Sequence, residues 1–173
     1  MTALPGYIVF TADEIAAATE RLAGELGARL GGDEWLLLCV LNGGAVFASD
    51  LMRRLDVPLQ FDTVRVARYR NESGGTLAWH ARPLEPLAGR NVLLVDDIFD
   101  VGETLSALHA WVESEGAAQA LSCVLLEKDV THRGTVTPDF VGMTCPDAYV
   151  FGYGMDLRGL HRNLDHIRAL GPA

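Results

Sequence analysis

Asp96, Asp97 and Asp100 stand within five residues of one another in the stretch VLLVDDIFDVGET, residues 92–104, and a glycine and a threonine follow closely. The two halves of that stretch ask for opposite ligands. Gly102 permits close backbone approach, so the amides of Val101, Gly102, Glu103 and Thr104 can converge on one anion at a helix start. The Thr104 hydroxyl adds a donor. Asp96 and Asp97 cannot face a bare phosphate. They suit hydroxyls that donate, such as a ribose diol, or a magnesium ion carried in with a polyphosphate. The turn therefore reads as a holder for a phosphorylated sugar, with acids on the sugar side and amides on the phosphate side. A helix cap alone needs one acid, not three.

Lys128 is the second chemical signal. Of fourteen basic residues thirteen are arginine, so the single lysine is a candidate for a role that a guanidinium cannot fill. The formal net charge of −9 argues against a general nucleic-acid binder but leaves room for an anionic small molecule at a local site. Cys39, Cys123 and Cys145 have no zinc-like spacing, and buried free thiols in a reducing cytosol are expected. His80 and His132 have no metal-ligand partners at sensible spacing. The longest apolar runs, such as WLLLCVL at 35–41, are too short to span a bilayer, and MTALPGYIVF lacks the basic start of a signal peptide. A cytoplasmic protein with no membrane or nucleic-acid partner is the expectation.

Repeated strand–turn–helix order must position these residues. TADEIAAATERLAGELGARLGG opens on a Thr11/Asp13 cap signal and stops at Gly31-Gly32, which predicts a helix. WLLLCVL reads as a strand buried on both faces, AVFASDLMRRL as a helix, and VPLQFDTVRVARY as an alternating strand. RNESGGTLAWHARPLEPLAGR reads as a mobile polar loop flanked by extended chain. The aspartate-bearing strand, a helix from Glu103 to Glu115, the strand ALSCVLLEK and a tail of short extended pieces complete the order. The pattern predicts one α/β domain over residues 1–173, a mostly parallel sheet flanked by helices. The front helix and the irregular tail are expected to cap one edge. Three strands end in loaded sequence, at Asn42-Gly43-Gly44, Asp96-Asp97 and Glu127-Lys128, and should open on the same rim.

No GxxxxGK[ST] loop occurs, and GYGMDL near Gly152 fails the dinucleotide pattern. VLLVDDIFDVGET instead resembles the phosphoribosyl-diphosphate motif of the type I phosphoribosyltransferases: four apolar residues, two acids, two apolar residues, then acid-x-Gly-x-Thr. Within that family the chain from about Trp35 onward is similar to the hypoxanthine–guanine phosphoribosyltransferases. VLNGGAVFASDL is similar to their first loop, RYRNESGG falls at their flexible catalytic loop, LLEKDVTHRG at their purine-contacting lysine, and PDFVGMTCPDAYVFGYGMDLRGLHRNL at their tail.

The resemblance implies transfer of a phosphoribosyl group from 5-phosphoribosyl 1-diphosphate to a 6-oxopurine, with Mg2+. It implies a hood built from the C-terminal segment and N-terminal elements, and a homodimer or homotetramer. It places Asp100 as the base for the purine N7 proton, Lys128 as donor to O6, Arg162 beside the leaving diphosphate and Tyr69 in the closing loop. Asn42 and Gly43 fall in the diphosphate cradle, with Asp96, Asp97, Asp100 and Val101–Thr104 on the sugar phosphate. Tyr149 stacks on the purine and Val150 reads its edge; Asp96 and Asp97 are metal ligands, and Asp156 helps hold a second magnesium near the diphosphate while the backbone near it faces the purine 2-position. The chain departs from the family at Asn42, where lysine is usual, at Arg68-Tyr69 for Ser-Tyr, at Val101 for threonine, and at Glu103. Two other readings stay open: a xanthine-preferring enzyme, and a non-catalytic regulator that senses the sugar diphosphate.

Overall fold

The computed structural model describes residues 4–69, 76–131 and 134–171, without the side chains of 68, 69, 76 and 77. Strand β1 (Tyr7–Phe10) leads into helix α1 (Ala12–Leu30), then β2 (Trp35–Leu41), α2 (Gly44–Met52), β3 (Leu59–Tyr69) and β4 (Thr76–Ala81). There follow β5 (Asn91–Phe99), α3 (Glu103–Ser114), β6 (Gln119–Lys128), β7 (Phe140–Cys145), β8 (Val150–Phe151) and β9 (Ile167–Ala169). Six strands form the main sheet in the order β4-β3-β2-β5-β6-β7. All neighbours in it run parallel except the edge pair β3–β4.

Alternation on β2 explains why this sheet is covered on both sides. Leu37 and Cys39 point into one core with Leu22, Leu26, Phe47 and Leu51 of α1 and α2. Leu36, Leu38 and Val40 point into another with Leu105, Leu108 and Val112 of α3. Successive strand residues face opposite ways, so a continuous apolar run is what a doubly covered strand requires. Truncating a fully buried leucine such as Leu38 costs about 2–5 kcal/mol.

Helix α1 starts as its sequence asks. The Thr11 hydroxyl accepts from the Glu14 amide, and the Glu14 carboxylate accepts from the Thr11 amide at 2.8 Å. The helix packs over the edge strand β7 and shares a core with the tail. Its stripe of Ile15, Leu22, Leu26 and Leu30 is buried in the main core, and Arg21 donates to the Val141 and Gly142 carbonyls of β7. Strand β1 adds a further N-terminal part to the hood. Paired antiparallel with β9, which also pairs β8, it forms a separate three-stranded sheet with the tail. The tail also supplies β7, parallel to β6, through residues 129–139.

Candidate active site

Strands β2, β5 and β6 lie side by side and parallel, so their carboxyl ends share one rim, and the three loaded sequences meet there. Asp96 and Asp97 belong to the strand and not to the turn after it. The ladder continues through Asp96↔Val124, Ile98↔Leu126 and Phe99↔Glu127, because β6 runs equally far. Two adjoining cavities open above. One of about 380 Å³ is lined by Asn42, Gly43, Lys128, Tyr149, Val150, Met155, Asp156 and Arg162. The other, about 280 Å³, is lined by Asp96, Phe99, Val101, Gly102, Glu103 and Thr104. Asp97, Ile98 and Asp100 line both.

The second cavity is the N-terminus of α3. Gly102 caps it at φ +85°, a conformation that favours glycine, and a side chain there would meet the Phe99 ring at 2.9 Å. The loop is held from behind. The Ser106 hydroxyl donates to the Gly102 carbonyl at 2.9 Å and accepts from the Thr135 and Val136 amides. The Gly134 amide donates to the Val101 carbonyl at 3.0 Å. Glycine brings no capping side chain of its own, so the helix's first amides are suited to an anion.

Asp96 and Asp97 are bonded through the chain itself. The Asp97 amide donates to Asp96 Oδ1 at 2.9 Å, and the Ile98 amide to Asp97 Oδ1 at 3.0 Å. Burial holds both carboxyls above the usual carboxylate range; the charge of Asp97 pushes Asp96 further, and Arg162 pulls Asp97 partly back. The Asn42–Gly43 loop sits directly on this pair. A Cβ on Gly43 would fall 1.8 Å from Asp97 Oδ2, and one on Gly154 would fall 2.2 Å from the Gly43 carbonyl oxygen. Gly43 is thus held between the acid and the hood. The Leu41–Asn42 peptide bond is cis.

In the first cavity Lys128 Nζ lies 3.4 Å from Asp100 Oδ2 and 3.9 Å from Asp147 Oδ1. Tyr149 is half exposed, so its ring is no core residue, and its hydroxyl donates to the Asp156 carbonyl at 2.9 Å. Val150 is buried in β8. Arg162 donates to the Gly154 carbonyl at 2.7 Å and to Asp156 Oδ1 at 2.5 Å, while Asp156 Oδ2 accepts from the Gly159 amide. Tyr69 ends β3, and its side chain, like His132, lies outside the described residues. His80 is exposed on β4, away from both cavities.

Sequence reasoning missed Asp147, Ile98, Met155, Gly154 and Ser106. Ile98 carried a signal, since it sits between the acids of one strand. Asp147, Met155, Gly154 and Ser106 act through contacts distant in the chain, which no local spacing announces.

The chain has relatives among known proteins in both sequence and fold. Residues 9–158 match the phosphoribosyl transferase domain family. The hypoxanthine-guanine phosphoribosyltransferases of Pan troglodytes and Mus musculus are 35% and 34% identical over 160 residues, covering 86% of this chain and 73% of each relative. Hypoxanthine phosphoribosyltransferase from Staphylococcus aureus superposes with a TM-score of 0.90 at 28% identity, over 95% of this chain and 91% of that one. A hypoxanthine-guanine phosphoribosyltransferase from Bacillus anthracis does so at 0.89 and 26%, over 98% of this chain and 100% of its own. With the family domain spanning most of its length and relatives agreeing in both sequence and fold, the chain belongs to the phosphoribosyltransferases of the hypoxanthine-guanine type.

Proposed function

We propose that the chain transfers the 5-phosphoribosyl group from 5-phosphoribosyl 1-diphosphate to N9 of hypoxanthine or guanine, releasing the nucleoside monophosphate and diphosphate. The observation that carries this reading is the 3.4 Å pairing of Lys128, in the first cavity, with Asp100, which lines both. A 6-oxopurine presents O6, an acceptor, beside N7, whose proton must leave as N9 attacks. An ammonium next to a carboxylate matches that edge, donor to O6 and acceptor for N7–H. Adenine would set an amino donor against Lys128, leaving both unpaired, and is rejected.

The sugar phosphate occupies the amide cradle of Val101–Thr104, and Asp96 and Asp97 take the ribose hydroxyls and the metal side. Tyr149 presents its ring face to the base. As C1 becomes oxocarbenium-like, charge gathers on the leaving diphosphate, between the Asn42–Gly43 backbone and the Arg162 guanidinium. Tyr69 closes over the reacting centre and excludes water.

Mg2+ fits the acids present. Asp96 and Asp97 are held against burial and, for Asp96, a neighbouring charge, a cost that a divalent cation offsets. Among the described residues no group of three or more metal-ligating side chains is preassembled. Magnesium ordinarily takes one or two carboxylates and completes its shell with waters and substrate phosphates. Asp96 and Asp97 would hold one ion on the sugar side, and Asp156 would help hold a second near the diphosphate, where it would neutralise charge on the departing group.

The whole of residues 1–173 works as one phosphoribosyltransferase domain in the cytoplasm, as a homodimer or homotetramer. Static light scattering reads the assembly. Among the described residues no helix is long and apolar enough to cross a membrane. The deciding experiment mixes purified protein, the sugar diphosphate and Mg2+ with hypoxanthine, guanine, xanthine or adenine. Nucleotide should form with hypoxanthine or guanine; product with adenine alone, or with no base, would sink the reading.

A further inference from the structure

Tyr153 is buried, belongs to none of the site elements, and pays for its place. Its φ of +48° lies in the left-handed region that aromatic residues rarely adopt. Glycines flank it at φ +100°, each packed too closely for a side chain: Gly152 on the His166 carbonyl and Gly154 on the Gly43 carbonyl. The turn is stitched to the tail, with the Tyr153 amide donating to the Leu164 carbonyl and the Gly154 amide to the Arg162 carbonyl. A strained turn kept this firmly implies that something depends on its position.

The Tyr153 hydroxyl reaches out of the turn to α2. It donates to Asp50 Oδ2 at 2.6 Å, and Arg53 holds the other oxygen of that carboxylate. Helix α2 begins directly after Asn42-Gly43, whereas Arg162 is seated on the Gly154 carbonyl. Two contacts among the described residues tie the loop that cradles the diphosphate to the turn that seats the cation facing it. One is the backbone contact of Gly154 on Gly43; the other is the Tyr153–Asp50 hydrogen bond.

We infer that Tyr153 is a positioning residue: through Asp50 it fixes the turn that seats Arg162 against the Asn42–Gly43 loop, and so sets the geometry of the diphosphate half-site. This rests on the phosphoribosyl-transfer reading. The purine half-site is anchored differently, since Lys128 and Asp100 stand at the ends of β6 and β5 in the main sheet. Loss of the strut should therefore act on one substrate and not the other, which a general loss of structure would not do.

The test is Tyr153→Phe, which removes one oxygen and keeps the ring, with Asp50→Asn and Asp50→Ala beside it. A hydrogen bond to a charged group supports about a tenfold effect. Tyr153→Phe and Asp50→Ala should raise KM for the sugar diphosphate about tenfold and leave the purine KM within about twofold. Asp50→Asn keeps an acceptor for the hydroxyl and should stay near wild type. Calorimetry with inorganic diphosphate and Mg2+ should show the same loss. If Tyr153→Phe keeps wild-type affinity for diphosphate, or raises both KM values equally, the inference is overturned. If wild-type protein makes no nucleotide, the activity reading falls, while the diphosphate comparison still decides the strut.

Discussion

Gly43→Ala isolates one contact in this site. Gly43 has φ −64° and ψ −42°, ordinary helical values that alanine adopts freely, so the substitution carries no backbone penalty. What it carries is a methyl group 1.8 Å from Asp97 Oδ2, 2.5 Å from its Cγ and 2.9 Å from Oδ1. Reaching ordinary contact requires the carboxylate to retreat by roughly 1.5 Å, and misplacing a catalytic group by about 1 Å costs about 100-fold. The retreat also breaks the Ile98 amide bond that orients the acid. Overpacking of this kind destabilises by about 1–3 kcal/mol, or about 2–4 °C per kcal/mol in a chain of this size. The assay is initial-rate nucleotide formation against sugar diphosphate concentration, with a thermal melt on the same samples. Expected are a fall in kcat/KM of about 100-fold or more and a folded protein. Gly24→Ala is the control: Gly24 lies in α1 with nothing within 4 Å of the added methyl, and alanine should raise Tm without touching the rate. A Gly43→Ala enzyme within about threefold of wild type would refute the account of Asp97's placement.

Replacing Lys128 by methionine should remove the proposed charge-assisted bond to O6 and raise the purine KM about 10- to 100-fold. Competition by adenine should strengthen at the same time, and unaltered base selectivity would count against Lys128 as the reader of O6. Because Asp96 and Asp97 sit above the usual carboxylate range, the unfolded chain releases their protons first. Raising the pH from about 4 therefore favours unfolding until the folded pair has also ionised. In ligand-free melts Asp96→Asn should gain on wild type across that rise, and a constant difference at every pH would contradict it. Burial pushes the thiol of Cys39 up to about 12, that of Cys145 to about 11, and that of Cys123 higher still. A thiol reagent at pH 8 should label none of the three until the protein unfolds; prompt reaction of any one would show the cores to be open.

What could be read from the chain divides along the range of the interactions. The acids, the amide cradle and the strand ends lie within single strand–turn–helix units, so period and composition place them, and parallel topology then brings them to one rim. Strand β5 runs past Asp96-Asp97 because its length depends on its neighbour, and β6 supplies ladder partners as far as Phe99. The four residues of β1 are too short to declare themselves without β9. Asp147 beside Lys128 and Tyr153 on Asp50 join segments far apart in sequence, and only the folded chain pairs them.

Lys128 has a consequence for handling the protein. It is the sole lysine, and only 15% of its side chain is open to solvent, beside two carboxylates. Apart from the amino terminus, every amine-directed reagent must act inside the first cavity, the proposed purine site. Coupling the protein to an activated surface through lysine would silence it, and a stoichiometric acylating agent would count functional sites. Bound purine should slow that acylation, making one side chain a reporter of occupancy that needs no turnover. Cleavage on the carboxyl side of lysine would divide the chain once, after β6, separating the aspartate-bearing strand from Tyr149, Asp156 and Arg162.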